Sequence, residues 1–218
     1  MRIRDRLGIS PRRQRQVTYL FELVMAGVFL VGVWNWEVPV MVNAGVALLI
    51  AQVVPVLERD YNVPLDAGLT LWITSAVFLH ALGTIGLPGT DSFYRTIGWW
   101  DHMTHALSSS VVAGVGYATV RAIDEHAEGV VLPPKFVFVF ILLFVLAFGV
   151  LWEVLEFGIG LAADFLGAET VLTQYGLEDT LLDLVFDTVG AVVVATWGSA
   201  HLQDVSGYIE ELIEKRSA

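Results

Sequence analysis

Residues 136–158 read FVFVFILLFVLAFGVLWEVLEFG: no charge occurs from Phe136 to Gly149, and then Glu153 and Glu156 follow in the same apolar run. The run can continue to Ala163, longer than the roughly 20 residues a helix needs to cross a bilayer, so this helix is expected to tilt, to break near Gly158 or Gly160, or to project. A charged side chain at mid-membrane costs about 2.5 to 3.5 kcal/mol on insertion scales, so acids at such positions serve a site, a pathway or a partner. Their spacing of three puts both on one helix face. The stretch predicts a membrane helix carrying a buried polar site.

Composition agrees. Apolar residues make up 56% of the chain and mean hydropathy is +0.66, above the roughly 45 to 50% apolar usage of soluble domains. A net charge of −11 argues against nucleic acid, whose phosphates would find no neutralising surface. The acidic excess in loops and tail (Asp124, Glu125, Glu128, Glu169, Glu178, Glu210, Glu211, Glu214) reads as a solvated surface, of the kind a salt-adapted organism would have. With no cysteine, disulfides and thiolate metal sites are excluded. The N-terminus is not read as a secretory signal, because its basic segment precedes a hydrophobic run too long for one.

Working outward, the expected fold is all-α, a polytopic transmembrane helix bundle of about six spans in one domain. Residues 1–17 form a basic cytoplasmic N-terminal segment with six arginines, in which Pro11 should break any helix. The bundle occupies 18–200, with spans from Tyr19 to Trp34, Val38 to Val56, Ala67 to Leu87, Asp101 to about Val120, Phe136 onward, and Leu181 to Trp197. Glu58 to Asp66 and Asp164 to Glu178 read as loops, and 201–218 as an acidic amphipathic cytoplasmic tail. The fourth span is rich in small residues (Ser108, Ser109, Ser110, Ala113, Gly114, Gly116), which let membrane helices approach closely; it should be interior. With the N-terminus cytoplasmic, Arg59, Arg121, Lys135, Lys215 and Arg216 share its side and only Arg95 lies opposite, as the positive-inside rule requires. The protein belongs in the cell membrane as a multi-pass chain, with the lipid bilayer as its partner.

Depth at about 1.5 Å per residue then brings His80, Asp101, His105, Glu153, Glu156, Asp183 and Asp187 to one level, in the outer third of the bilayer. Asp101 and His105 stand four apart, as do Asp183 and Asp187, and each pair shares a face. Imidazoles and carboxylates from several helices of a bundle are how helical proteins hold one or two divalent cations; such a set suits Mg, Mn, Ca or iron, with Zn admitted by the imidazoles. On this reading His105, Glu153, Glu156, Asp183 and Asp187 are metal ligands and Asp101 or His80 handles the proton, in a hydrolase or transferase acting on a lipid or lipid-linked substrate. Alternatives are a proton-coupled or ion transporter in which the acids titrate, a haem protein ligated by His80 and His105, and a structural polar core. Against transport, the inner face offers mainly Glu22, Asn43 and Gln52. His102, His126 and His201 read as solvated, Asp179 as a cap or first-turn acid, Asp164 as a helix-end residue and Arg95 as a solvated loop residue. Gly198 to His201 faintly resembles a serine motif, but at the wrong end.

The segments His80-Ala81-Leu82-Gly83, Trp100-Asp101-x-x-x-His105, Trp152-Glu153-x-x-Glu156 and Asp183-x-x-x-Asp187-x-x-Gly190 resemble the YjdF-like family of small polytopic membrane proteins, over roughly residues 70 to 200. More distantly they are similar to VanZ-like proteins, which have amides where this chain has Glu156 and Asp187. The first resemblance implies a multi-pass membrane fold. The second, through its association with glycopeptide tolerance, points toward envelope lipids.

Overall fold

The computed structural model describes residues 10–61, 63, 65–87, 89–126 and 130–197. Among them all regular structure is helical: α1 Pro11–Asn35, α2 Val38–Tyr61, α3 Ala67–Gly83, a single turn α4 Phe93–Thr96, α5 Trp100–His126, α6 Pro134–Leu166 and α7 Leu177–Trp197. Four of these are long and apolar enough to cross a membrane (Pro11–Asn35, Val38–Asp60, Trp100–Asp124 and Pro134–Leu166). Of the other two long helices, α3 is apolar but has 17 residues, and α7 has 21 but carries Glu178, Asp179, Asp183 and Asp187. Arg2, Arg4, Arg6, the His126 side chain, the 198–201 motif and the 201–218 tail lie outside the described residues.

Several expected boundaries move, each for a local reason. Pro11 starts α1 instead of breaking it: it occupies the first turn, where its missing N–H costs nothing, while the Ser10 hydroxyl accepts from the Arg13 amide. Helical structure therefore begins inside the basic 1–17 segment. α2 continues through Glu58 and Arg59, so the first part of the expected polar loop is helix. The long helix does not break at Gly158 or Gly160; it runs unbroken for 33 residues, about 50 Å, and stops at Gly167, whose φ of 64° closes the C-terminus. The loop before α7 is accordingly 167–176.

The helices pack as two groups joined through α3. Met25, Val28, Val40, Ala44, Ala47 and Ala51 form the core between α1 and α2, and Ala81 of α3 completes it; Phe21 of α1 stacks on Phe78 of α3 at 4.0 Å. In the second group Ala113, Val120, Ile141, Val145, Ala191 and Val194 knit α5, α6 and α7, and Leu69 of α3 joins them. As expected, α5 is the most buried of the four span-length helices. Close seams need small residues. A Cβ at Gly190 of α7 would collide with the Ala106 carbonyl and the Ser109 hydroxyl of α5, and one at Gly149 of α6 with the Asp187 carboxylate and Leu184 of α7.

The outside is apolar and the inside is partly charged. Leu23, Leu30, Leu49, Leu143, Val154 and Phe157 are more than half exposed, while Glu153, Glu156, Asp183 and Asp187 are buried. Water would reverse that arrangement, since soluble monomers rarely expose apolar patches beyond a few hundred Å². Lipid accounts for it.

Candidate functional site

The buried acids converge where the N-terminal halves of α5 and α7 meet. Asp101 and His105 stack one turn apart on α5, and Asp183 and Asp187 one turn apart on α7, because residues four apart on a helix project side by side. The Asp187 carboxylate lies 3.3 Å from His105 Nδ1. On its other side His105 Nε2 faces two carboxylate oxygens, Asp101 Oδ1 at 3.8 Å and Asp183 Oδ1 at 3.9 Å. One ligand atom from each of Asp101, His105 and Asp183 falls within 4.8 Å of the others, a group that could hold a metal ion. Either a proton on Nε2 or a bound cation can stand between this nitrogen and the two oxygens. Asp183 is 1% exposed, and its Oδ1 has no hydrogen-bond partner. A backing carboxylate on the far nitrogen is also how metal-bound histidines are commonly oriented.

Glu153 and Glu156 lie close enough to interact electrostatically with this group but stand outside the three-residue cluster. Glu153 Oε2 accepts from the Thr180 hydroxyl at 2.7 Å and from the Gln174 amide at 3.2 Å, and its Oε1 is buried without a partner. Glu156 accepts from the Trp152 indole at 3.0 Å. The expected five-ligand set thus divides: His105 and Asp183 cluster with Asp101, Asp187 backs His105, and the two glutamates are held by other partners. Asp101, read from the sequence as a proton handler, lies among the candidate ligands.

His80 is committed elsewhere. Its Nε2 donates to Asn43 Oδ1 at 3.0 Å and its Nδ1 accepts from the Tyr94 hydroxyl at 2.8 Å, so both ring nitrogens are engaged. Burial pushes the Tyr94 phenol well above its ordinary pKa and keeps it a donor. Asn43 in turn donates to the Val171 carbonyl at 2.6 Å, tying α2 to the 167–176 loop. Asn43 therefore sits on the site side of the bundle and not at the inner face: the α1–α2 turn is at residues 36–37, and Asn43 is less than two turns from it.

Sequence reasoning missed four more residues. His102 is not solvated; it stacks on Phe186 at 4.6 Å and places Nδ1 3.5 Å from Asp183 Oδ1. Its spacing of three from His105 was the available signal. Thr180, Gln174 and Tyr94 come from a helix start, a loop and the single turn α4, where no periodicity marks a facing direction. Asp179 is a first-turn acid as expected, accepting from the Tyr175 amide, and Asp164 lies exposed near the end of α6. Arg95 is exposed and hydrogen-bonds Tyr175; partial burial raises the pKa of that phenol while Arg95 pulls it down. Two surface grooves, one along Gln52, Pro55 and Arg59 and one along Thr188, Val192 and Thr196, do not reach the cluster.

The chain is 34% identical over 129 residues to an uncharacterized protein of Thermotoga maritima, a match covering 57% of this chain and 58% of that relative, so under two thirds of the relative's length is spanned. No solved structure matches. The description "Predicted membrane protein (DUF2238)" matches residues 17–204, a range that holds all seven helices but the first turns of α1, together with every residue of the acidic cluster. The chain belongs to this DUF2238 family of predicted membrane proteins.

Proposed function

We propose that the protein is a divalent-metal-dependent membrane enzyme, a hydrolase or transferase acting on a lipid or lipid-linked substrate near the outer membrane surface. The observation that carries this reading is the close grouping of Asp101, His105 and Asp183 across two helices, with Asp187 behind the imidazole. A bound cation supplies Lewis acidity and an activated water. Asp101, His105 and Asp183 would hold it, and Asp187 would fix the tautomer and direction of His105. Glu153, anchored through one oxygen and unpartnered at the other, would accept the proton of the attacking water or hydroxyl. His80, Tyr94 and Asn43 brace the surrounding helices and loops. On the lipid side of α6, Leu151, Val154, Leu155 and Phe157 are exposed while Glu153 and Glu156 face inward, so the acids lie one helix width from acyl chains. Transport fits less well: inward of Ser110, the described seam is packed by the apolar Ala113, Val120, Ile141, Val145 and Val194.

Purified protein is expected to carry a divalent cation that His105→Ala removes. Reconstituted in vesicles of total membrane lipid, it is expected to release or exchange a head group, and EDTA should stop this. An unchanged lipid profile with fully loaded protein defeats the enzymatic reading in favour of a structural polar core.

In this reading α3 and α7 cross the membrane along with the four longer helices, the N-terminus is cytoplasmic, and the chain is YjdF-like. The arginine distribution supports the orientation. Because the chain has no cysteine, single introduced thiols report cleanly. An impermeant maleimide should label Asp91→Cys on intact cells and Val131→Cys only after permeabilisation. The reverse pattern inverts the topology, and labelling of both positions from outside means that α5 does not cross.

A further inference from the structure

The cluster contains two imidazole–carboxylate pairs. In the first, Asp187 backs His105. In the second, one turn nearer the start of both helices, His102 Nδ1 faces Asp183 Oδ1 at 3.5 Å. Both atoms of this second pair are buried, and neither has a hydrogen-bond partner. Two orphaned polar atoms facing each other across a helix seam are costly unless something joins them, since a buried unsatisfied group forfeits about 1 to 3 kcal/mol. Asp183 itself is almost wholly enclosed, its side chain 2% exposed, and the same oxygen is 3.9 Å from His105 Nε2. His102 is held from behind by the face of Phe186, the rings 4.6 Å apart and parallel within 4°. The stacking fixes the plane of the imidazole and so the direction of its Nδ1.

We infer that His102 is a positioning residue for the metal centre: its Nδ1–H holds the Asp183 carboxylate in the posture in which that carboxylate ligates the ion. The inference rests on the metal reading given above. His102 Nδ1 does not join the three-residue group, which separates it from the ligands and gives it the role of a partner behind one of them. An ion drawing on Asp183 from one side and an N–H from the other use both lone-pair directions of a carboxylate that otherwise has an idle oxygen. The inner pair then orients an imidazole through a carboxylate, and the outer pair orients a carboxylate through an imidazole. Partners of this kind typically matter by 10- to 100-fold in metal affinity.

The test separates hydrogen bonding from packing on the full-length protein in detergent, stripped with EDTA and titrated with Zn2+ or Mn2+. His102→Phe keeps a ring against Phe186 and removes the N–H; His102→Asn keeps an N–H near the place of Nδ1 and removes the ring. The expected result is a loss of affinity of about 10- to 100-fold in His102→Phe, with most of the affinity restored in His102→Asn. Tight binding by His102→Phe, or equal loss in both variants, overturns the positioning role while the metal reading stands. Failure of the wild-type protein to bind either ion overturns both. Thermal melts of the metal-free variants check folding, and His105→Ala serves as the control in which a proposed ligand itself is removed.

Discussion

Gly190→Val is expected to push α7 away from α5 and to lower stability by about 3 kcal/mol or more, at or beyond the upper end of what overpacking usually costs. At Gly190 a Cβ would meet the Ala106 carbonyl, the Ser109 hydroxyl and the Ser110 amide nitrogen. Two of these are helix backbone and cannot rotate aside, so the helices themselves must separate. For a chain of this size that corresponds to a fall in melting temperature of about 6 to 12 °C, readable by thermal denaturation in detergent. The same separation would pull Asp183 and Asp187 from His105, so metal binding should fail together with folding. A Gly190→Val protein that melts within a degree or two of wild type contradicts the α5–α7 seam described above.

Asp183→Asn should move function and stability in opposite directions. Removing the charge takes a ligand from the proposed centre, and metal affinity should fall by more than the roughly 100-fold that a mere orienting partner can account for. The metal-free protein should become more stable, because an isosteric amide replaces a buried carboxylate whose desolvation is not repaid by a Lys or Arg among the described residues. Paired titrations and melts of the metal-free forms check both halves. If the variant loses stability in the metal-free state and wild type binds no ion, Asp183 is a structural acceptor and the centre does not exist.

Much of this was legible in the sequence, for identifiable reasons. A charge-free run such as Phe136 to Gly149 has one stable environment, and the small residues of α5 have one good use, so helices and the interior helix could be read from composition alone. Counting turns was enough to expect Asp101, His105 and Asp183 near one another, because rise along a helix is a linear function of residue number. Azimuth within the bundle is not. Glu153 and Glu156 lie near the cluster and still bond to Thr180 and Trp152, since which neighbour a side chain meets depends on helix rotation and on where loops return. His102 was misjudged because an interfacial position looks solvated until Phe186 is known to cover it. Pro11 was misjudged because the same ring that interrupts a helix also starts one, and only the Ser10 cap distinguishes the two cases. The 167–176 loop, which supplies Gln174 and the Val171 carbonyl, has no periodic signal at all.

If α3 crosses the membrane as proposed, its shortness bears on how the buried charged groups are tolerated. At 17 residues it spans about 26 Å, less than the roughly 30 Å of hydrocarbon. None of its residues is freely exposed, so thinning of the surrounding lipid cannot make up the difference. The connecting chain does so instead: Tyr94 and Trp100 press onto Gly83, and the Trp100 indole donates to the Leu79 carbonyl. In the proposed topology the segment carrying Tyr94 and Trp100 would then fill the remaining depth beyond the end of α3. His105 and its carboxylates would on that reading lie beside polar backbone, and the energetic penalty of their depth would be smaller than a flat slab of hydrocarbon would impose.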